Sequence, residues 1–93
     1  MYTLAFKQSA VKEWRKLGHT IKEQFSKKLA KVLENPHIPS AALSGMPDCY
    51  KIKLREAGYR LVYQVLDNTV TVTIVAVGKR DKDEVYVKAG ERL

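Results

Sequence analysis

The order of hydrophobic patterns in this chain predicts an α+β fold, with helices packed on one face of an antiparallel sheet. Three observations carry that expectation. The chain opens with a period-two alternation, continues with two segments of helical apolar spacing, and then runs through three strand patterns with no helix between them. With 93 residues, 45% of them hydrophobic and 29% charged, it has material for one domain covering residues 1–93. It lies outside the composition of disordered or fibrous sequences. A chain this short buries enough surface for a sheet and a helix layer but not for a deep cavity, so any active site should be an open surface.

Tyr2, Leu4 and Phe6 alternate with Thr3, Ala5 and Lys7, the pattern of a half-buried strand. From Ser9, apolar residues fall at Val11, Trp14 and Leu17, which predicts a short amphipathic helix with Gly18 placed to end it. Thr20 and Glu23 have capping-box spacing, and Ile21, Phe25, Leu29, Val32 and Leu33 then form one apolar stripe before Asn35-Pro36 stops a second helix. The stretch Asn35 to Pro47 holds all three prolines and Gly45 and reads as a loop. Strand patterns follow at Tyr50 to Arg55, Tyr59 to Leu66 and Thr69 to Val77, separated only by Glu56-Ala57-Gly58 and Asp67-Asn68. Such short connections predict an antiparallel meander. The charged stretch Arg80 to Leu93 is expected to form a short terminal helix, loosely held for want of apolar residues.

Seventeen Lys and Arg against ten Asp and Glu give a net charge of +7, which favours polyanionic partners. Eight of the cations (Lys7, Lys12, Arg15, Lys16, Lys22, Lys27, Lys28 and Lys31) lie on the helical half, where only Glu13 and Glu23 oppose them. That surface suits a phosphate backbone or an anionic membrane, or simply solvation. Cys49 is the only cysteine, so neither an internal disulfide nor a Cys-based zinc site is expected. No segment reads as a signal peptide or a membrane span, which makes a cytoplasmic location the expectation. His19 and His37 have no evident acidic partner in the sequence, and no carboxylate cluster or Gly-rich phosphate loop is present.

Alternation in the strand Tyr50 to Arg55 puts Tyr50, Ile52 and Leu54 on the core side and Lys51, Lys53 and Arg55 on the other. On the next strand Tyr59, Leu61, Tyr63 and Val65 form the core set, which sends Arg60, Val62 and Gln64 the opposite way. Arg60 therefore joins the lysines on the open face. Cations gathered on one sheet face repel one another, and Glu56 is the only counter-ion nearby in sequence. An anionic ligand accounts for the arrangement, although alternating Lys on an open sheet face commonly serves solubility alone. Tyr59, Tyr63 and Tyr86 offer stacking surfaces, and Tyr86, in the polar tail, is the one least suited to a core.

These residues resemble the RelE toxins of bacterial toxin–antitoxin pairs, within the RelE/ParE superfamily. The resemblance runs through Lys12-Glu13-Trp14-Arg15-Lys16-Leu17-Gly18, then Gly45 to Arg55, Gly58 to Val65, Val77-Gly78-Lys79-Arg80 and Tyr86. It implies a RelE-like, microbial-ribonuclease-like fold and a metal-independent, cofactor-free endoribonuclease that cuts the mRNA codon in the ribosomal A site. A ribose 2′-hydroxyl would attack the adjacent phosphate, leaving a 2′,3′-cyclic phosphate and a 5′-hydroxyl. Carried over residue by residue, Lys53 is the general base, Lys51 the cation that helps set its pKa, Arg60 the transition-state clamp, Arg80 the residue beside the leaving group and Tyr86 the base-stacking group. Contact with RNA or the ribosome is expected from Arg55, Lys79, Lys12, Arg15, Lys16, Lys22, Lys27, Lys28 and Lys31.

The resemblance further implies a RelB-like antitoxin as partner, contact with operator DNA only through that complex, and no membrane association. Displacement of the segment bearing Tyr86 is the expected route of inhibition. One departure stands out: Ser44 precedes Gly45-Met46-Pro47 where close relatives carry an arginine, which removes one expected RNA contact. Two other functions stand as alternatives: a ParE-type inhibitor of DNA gyrase, which shares the fold but is not expected to keep the cation set of Lys51, Lys53, Arg60, Arg80 and Tyr86, and a non-catalytic nucleic-acid- or antitoxin-binding module.

Overall fold

Strand β1 (Thr3–Phe6), helices α1 (Gln8–Arg15) and α2 (His19–Glu34), then strands β2 (Cys49–Leu54), β3 (Tyr59–Leu66) and β4 (Thr71–Lys79), and finally helix α3 (Glu84–Arg92) make up the chain in a computed structural model that describes residues 1–81 and 83–93. Short 3-10 turns occupy Pro39–Ala41 and Asp67–Thr69. The four strands form one sheet in the order β1-β4-β3-β2. β2, β3 and β4 are the antiparallel meander the sequence predicts. β1 joins β4 in parallel, so the whole sheet is mixed. The helical pair serves as the long crossover that a parallel neighbour requires.

The main core lies between the helical pair and the sheet. Phe25, Leu29 and Val32 of α2 meet Ile52, Leu54, Leu61, Tyr63, Val65, Val72 and Ile74, with Ala10 and Leu17 completing the buried set. Trp14 contacts Phe6 edge-on and Phe25 in a tilted arrangement, at centroid distances of 5.5 and 6.2 Å. Tyr63 is wholly buried, and its hydroxyl donates to the Pro36 carbonyl at 2.9 Å, so its one polar atom is satisfied.

Several local expectations are corrected. Gly18 does not end α1, whose C-cap is Lys16; it is the N-cap of α2. The Thr20/Glu23 capping box does not form, because α2 begins one residue before Thr20 and no side chain caps it. Glu23 instead faces His19 and Lys27 one turn away on either side, at 3.5 and 3.9 Å. β4 starts at Thr71 because Val70 adopts φ +49°, a left-handed conformation unusual for a β-branched residue. His37, which has no acidic partner in the sequence pattern, acquires one through the fold. Its Nε2 lies 2.9 Å from Asp67 Oδ1 and its Nδ1 2.9 Å from the Tyr50 hydroxyl, while the Tyr2 hydroxyl donates to the same Asp67 oxygen at 2.7 Å.

The terminal helix is also held more firmly than its composition suggests. Val85 and Ala89 are buried in a second, smaller core with Val62, Val75, Ala76 and Cys49. Arg92 forms a two-pronged pair with Glu13 at 2.8 and 3.0 Å and donates to the Val75 carbonyl at 2.9 Å. Burial alone would raise the Glu13 carboxyl pKa, but Arg92, the Val77 N–H and Lys88 outweigh it and hold it below the ordinary value. Val62, expected on the open face, thus lies under α3. The helix covers the upper part of that face only.

Candidate active site

The cation face forms where β2 and β3 pair. In their register Lys53 stands opposite Arg60 and Lys51 opposite Val62, so the Lys53–Arg60 pair shares one rung on the side away from the main core. Arg60 in turn stands opposite Gly78 of β4, which presents no side chain, and a Cβ there would meet only Val85 at 3.5 Å. Arg60 itself is packed closely on this side of the sheet. The residue is only 7% exposed, with Nη1 donating to the Tyr59 carbonyl at 3.0 Å. Burying the methylenes while the guanidinium reaches the surface is the usual compromise for arginine.

The turn between β2 and β3 brings the remaining groups in. Gly58 adopts φ +73°, its N–H donates to the Leu54 carbonyl at 2.8 Å, and its carbonyl accepts the Arg80 N–H at 2.6 Å. The turn that carries Arg55 is thereby tied to the end of β4 that carries Arg80. Lys53, Arg55, Arg60, Arg80, Asp83 and Tyr86 line one open cleft of about 350 Å³. Tyr86, half-buried on the first turn of α3, supplies its aromatic wall.

Four of the five residues carried over from the resemblance therefore meet in this cleft. Lys51 lies on the same face but is not among the lining residues; its effect reaches the cleft through its charge. The Lys53 ammonium has its pKa lowered, first by Lys51, then by partial desolvation and by Arg60, Arg55 and Arg80. Like charges favour the neutral amine, so a larger share of Lys53 than of an isolated lysine is in the form that can accept a proton.

The wider set of basic residues does not converge on the cleft as a group. Arg55 is inside it. Lys28 of α2 lines an adjacent hollow with Gln24, Glu56, Lys53 and Arg55, so the cleft walls continue towards α2. Lys79 instead lines a separate hollow between Glu13 and Lys88. Lys12, Arg15, Lys16, Lys27 and Lys31 are exposed on the helices and Lys22 is partly so. Lys82, which belongs to the charged helix start of the sequence reading, is outside the described residues. Asp83 is the wall residue that sequence reasoning missed. It reads as part of a helix start, and only the docking of α3 on the sheet makes it part of the cleft wall. Among the described residues, no three His, Cys, Asp or Glu side chains are grouped so as to hold a metal ion.

Comparison with known proteins fits this arrangement. Residues 4–84 match the model of a family described as the ParE toxin of a type II toxin–antitoxin system, parDE. The "mRNA interferase toxin RelE" of Escherichia coli K12 is 59% identical over 92 residues, covering 99% of this chain and 97% of the relative. The chain belongs to the RelE family of the RelE/ParE toxin superfamily. The crystal structure of the isolated E. coli RelE toxin is similar over 99% of this chain and 98% of that one, with 58% identity and a TM-score of 0.85. The RelE chain in the intact E. coli RelBE toxin–antitoxin complex has the same identity and TM-score, covering 88% of this chain and 100% of that one. RelE membership agrees with the resemblance read from the motifs. No helix among the described residues is long and apolar enough to cross a membrane.

Proposed function

We propose that this chain is a ribosome-dependent mRNA interferase whose reaction takes place in the cleft between the β2–β3 turn and α3. The observation that carries the reading is the Lys53–Arg60 rung, with Arg55, Arg80 and Tyr86 on the same cleft. Neutral Lys53 Nζ takes the proton of a ribose 2′-hydroxyl, and the 2′-oxygen attacks the adjacent phosphorus. The bond from phosphorus to the 5′-oxygen breaks, giving a 2′,3′-cyclic phosphate, and the departing oxygen is protonated to a 5′-hydroxyl. Arg60 and Lys51 stabilise the charge that builds on the pentacoordinate phosphorane.

Arg80 lies at the end of β4 beside the leaving group. Since a guanidinium does not give up its proton, it acts by charge or through a water. Tyr86 stacks on a base and turns the 2′-oxygen in line. A lysine base with no carboxylate relay depends on a substrate already held in reactive geometry, which accounts for a requirement for the ribosome. The cations on and beside α1 and α2, exposed at Lys12, Arg15, Lys16, Lys27, Lys28 and Lys31 and partly so at Lys22, face ribosomal RNA in this reading, and binding falls steeply with salt.

The test is incubation with mRNA-programmed ribosomes and, separately, with naked RNA, mapping cuts by primer extension. Cuts confined to the A-site codon and lost in a Lys51/Lys53 double alanine variant support the reading; folded protein that leaves both RNAs intact overturns it. The ParE description of the matching family model favours one other activity, inhibition of DNA gyrase, and a supercoiling assay separates the two.

The E. coli RelBE complex supports a RelB-like antitoxin as partner; in this reading operator DNA is bound only through the pair, and the toxin acts in the cytoplasm. An acidic wrapping segment suits the net charge of +7. If the antitoxin works by lifting α3, the Glu13–Arg92 pair must open. Hydrogen exchange across Glu84–Arg92 then rises on antitoxin binding, and unchanged protection counts against displacement.

A further inference from the structure

The cation cleft does not end at the β2–β3 turn. Lys53 and Arg55, which line it, also line a second open hollow of about 350 Å³ whose far wall is α2. β2 is the edge strand of the sheet, and α2 and α3 pack on opposite faces, so the two hollows meet round that edge. Gln24 and Lys28 form the α2 wall, four residues apart and therefore on one side of the helix. Three cations, Lys28, Lys53 and Arg55, border the hollow against the single carboxylate of Glu56. None of the three is ion-paired with it, so the protein leaves their charge uncompensated. Lys22, Lys27 and Lys31 of the same helix line neither hollow, which sets Lys28 apart from the general basic surface.

We infer that this hollow is a second phosphate subsite, in which Lys28, Arg55 and Gln24 hold the phosphate that neighbours the scissile one on the same RNA strand. The inference rests on the ribonuclease reading above and adds to it the path by which the strand leaves the cleft, round the β2 edge towards α2. Ionised phosphate oxygens accept hydrogen bonds, and all three side chains donate them: the ammonium as a point charge, the guanidinium as a planar fork and the carboxamide through its NH2 group. Lys53 and Arg55 border both hollows and so join the two subsites. Glu56, exposed on the turn, reduces the positive charge of the hollow without cancelling it. Holding two successive phosphates removes rotational freedom from the strand between them before the reaction begins.

The experiment is an NMR titration of the intact chain at low salt with adenosine 3′,5′-bisphosphate, which carries two successive phosphates on one ribose, and with 3′-AMP, which carries one. Wild type, Lys28→Gln and Lys7→Gln are compared. Lys7 follows β1 at the opposite edge of the sheet, so its variant removes the same charge away from the hollow. The wild type is expected to bind the bisphosphate roughly tenfold more tightly than 3′-AMP, with the Gln24 side-chain amide signals moving only with the bisphosphate. Lys28→Gln is expected to lose most of that advantage while keeping the 3′-AMP affinity, and Lys7→Gln to keep the advantage. Equal affinities in the wild type, an advantage that survives in Lys28→Gln, an equal loss in both variants, or Gln24 signals that stay still would each overturn the subsite. A Lys28-dependent advantage in a preparation that fails to cut ribosome-bound message counts against the ribonuclease reading and leaves the phosphate subsite standing.

Discussion

The two faces of the sheet are built to opposite rules. Under α1 and α2 the sheet offers Ile52, Leu54, Leu61, Tyr63, Val65, Val72 and Ile74 to a continuous apolar layer in which even the Tyr63 hydroxyl has a partner. Under α3 the cover is partial: Val62, Val75, Ala76, Val85 and Ala89 make a small core, and beyond it the same strands turn Lys53 and Arg60 into an open cleft. The first face is closed and apolar. The second keeps like charges adjacent, which lowers the Lys53 pKa at some cost in repulsion. Stability and chemistry are thus separated by the alternation of single strands, with the residues of one rung serving both.

The sharpest way to break this separation is to change one face and measure both properties. Lys53→Ala is expected to slow cleavage of ribosome-bound mRNA by about 10²–10⁴-fold, the usual contribution of a positioned base, with the urea midpoint unchanged; a large loss of stability would show that the cleft also holds the fold. On the opposite face, Phe25→Ala should cost about 3–5 kcal/mol of unfolding free energy, read from denaturant curves. Activity per folded molecule should stay the same.

The pH dependence sharpens the contrast further. Because the folded-state pKa of Lys53 is lowered, the neutral base is populated at lower pH than for a free lysine near 10.4. The single-turnover rate should rise with pH through that lowered value and then level off. Lys51→Ala removes the largest cause and should shift the rise to higher pH; an unshifted profile would assign the titration to another group.

Two smaller effects concern what joins the faces. Arg92→Ala breaks the pair with Glu13 and should loosen α3 by about 1–2 kcal/mol, visible as faster hydrogen exchange over Glu84–Arg92 and weaker cleavage, while exchange in β3 stays slow. The smallest effect belongs to Asp67, whose carboxyl is held below the ordinary aspartate range by the Tyr2 hydroxyl and then by His37. A depressed carboxylate contributes stability above its unfolded pKa and loses it as pH falls through the folded one. The melting temperature should therefore drop on the acid side, and Asp67→Asn should flatten that drop.

Much of this was legible in the chain itself. Short connections fixed the meander of β2, β3 and β4, and strict alternation placed Lys51, Lys53 and Arg60 on one face, because the side-chain period of a strand is two whatever surrounds it. The motif resemblance supplied Arg80 and Tyr86, which no periodicity links to that face. Features resting on contacts between distant segments were not legible. The Glu13–Arg92 pair, the Asp67–His37–Tyr50 contacts and the parallel docking of β1 on β4 each join residues far apart in sequence, whose meeting no local preference encodes.

By itself, then, the sequence determined the elements, the apolar face of each and the sign of the charge on the other, since these follow from residue type and spacing. Tertiary structure decided how far α3 covers that second face and which polar groups stand beside the cations. The seat of Val85 against Gly78 brings Tyr86 and Asp83 to the Lys53–Arg60 rung, and a helix acquires such a seat only when the strands beneath it are already paired.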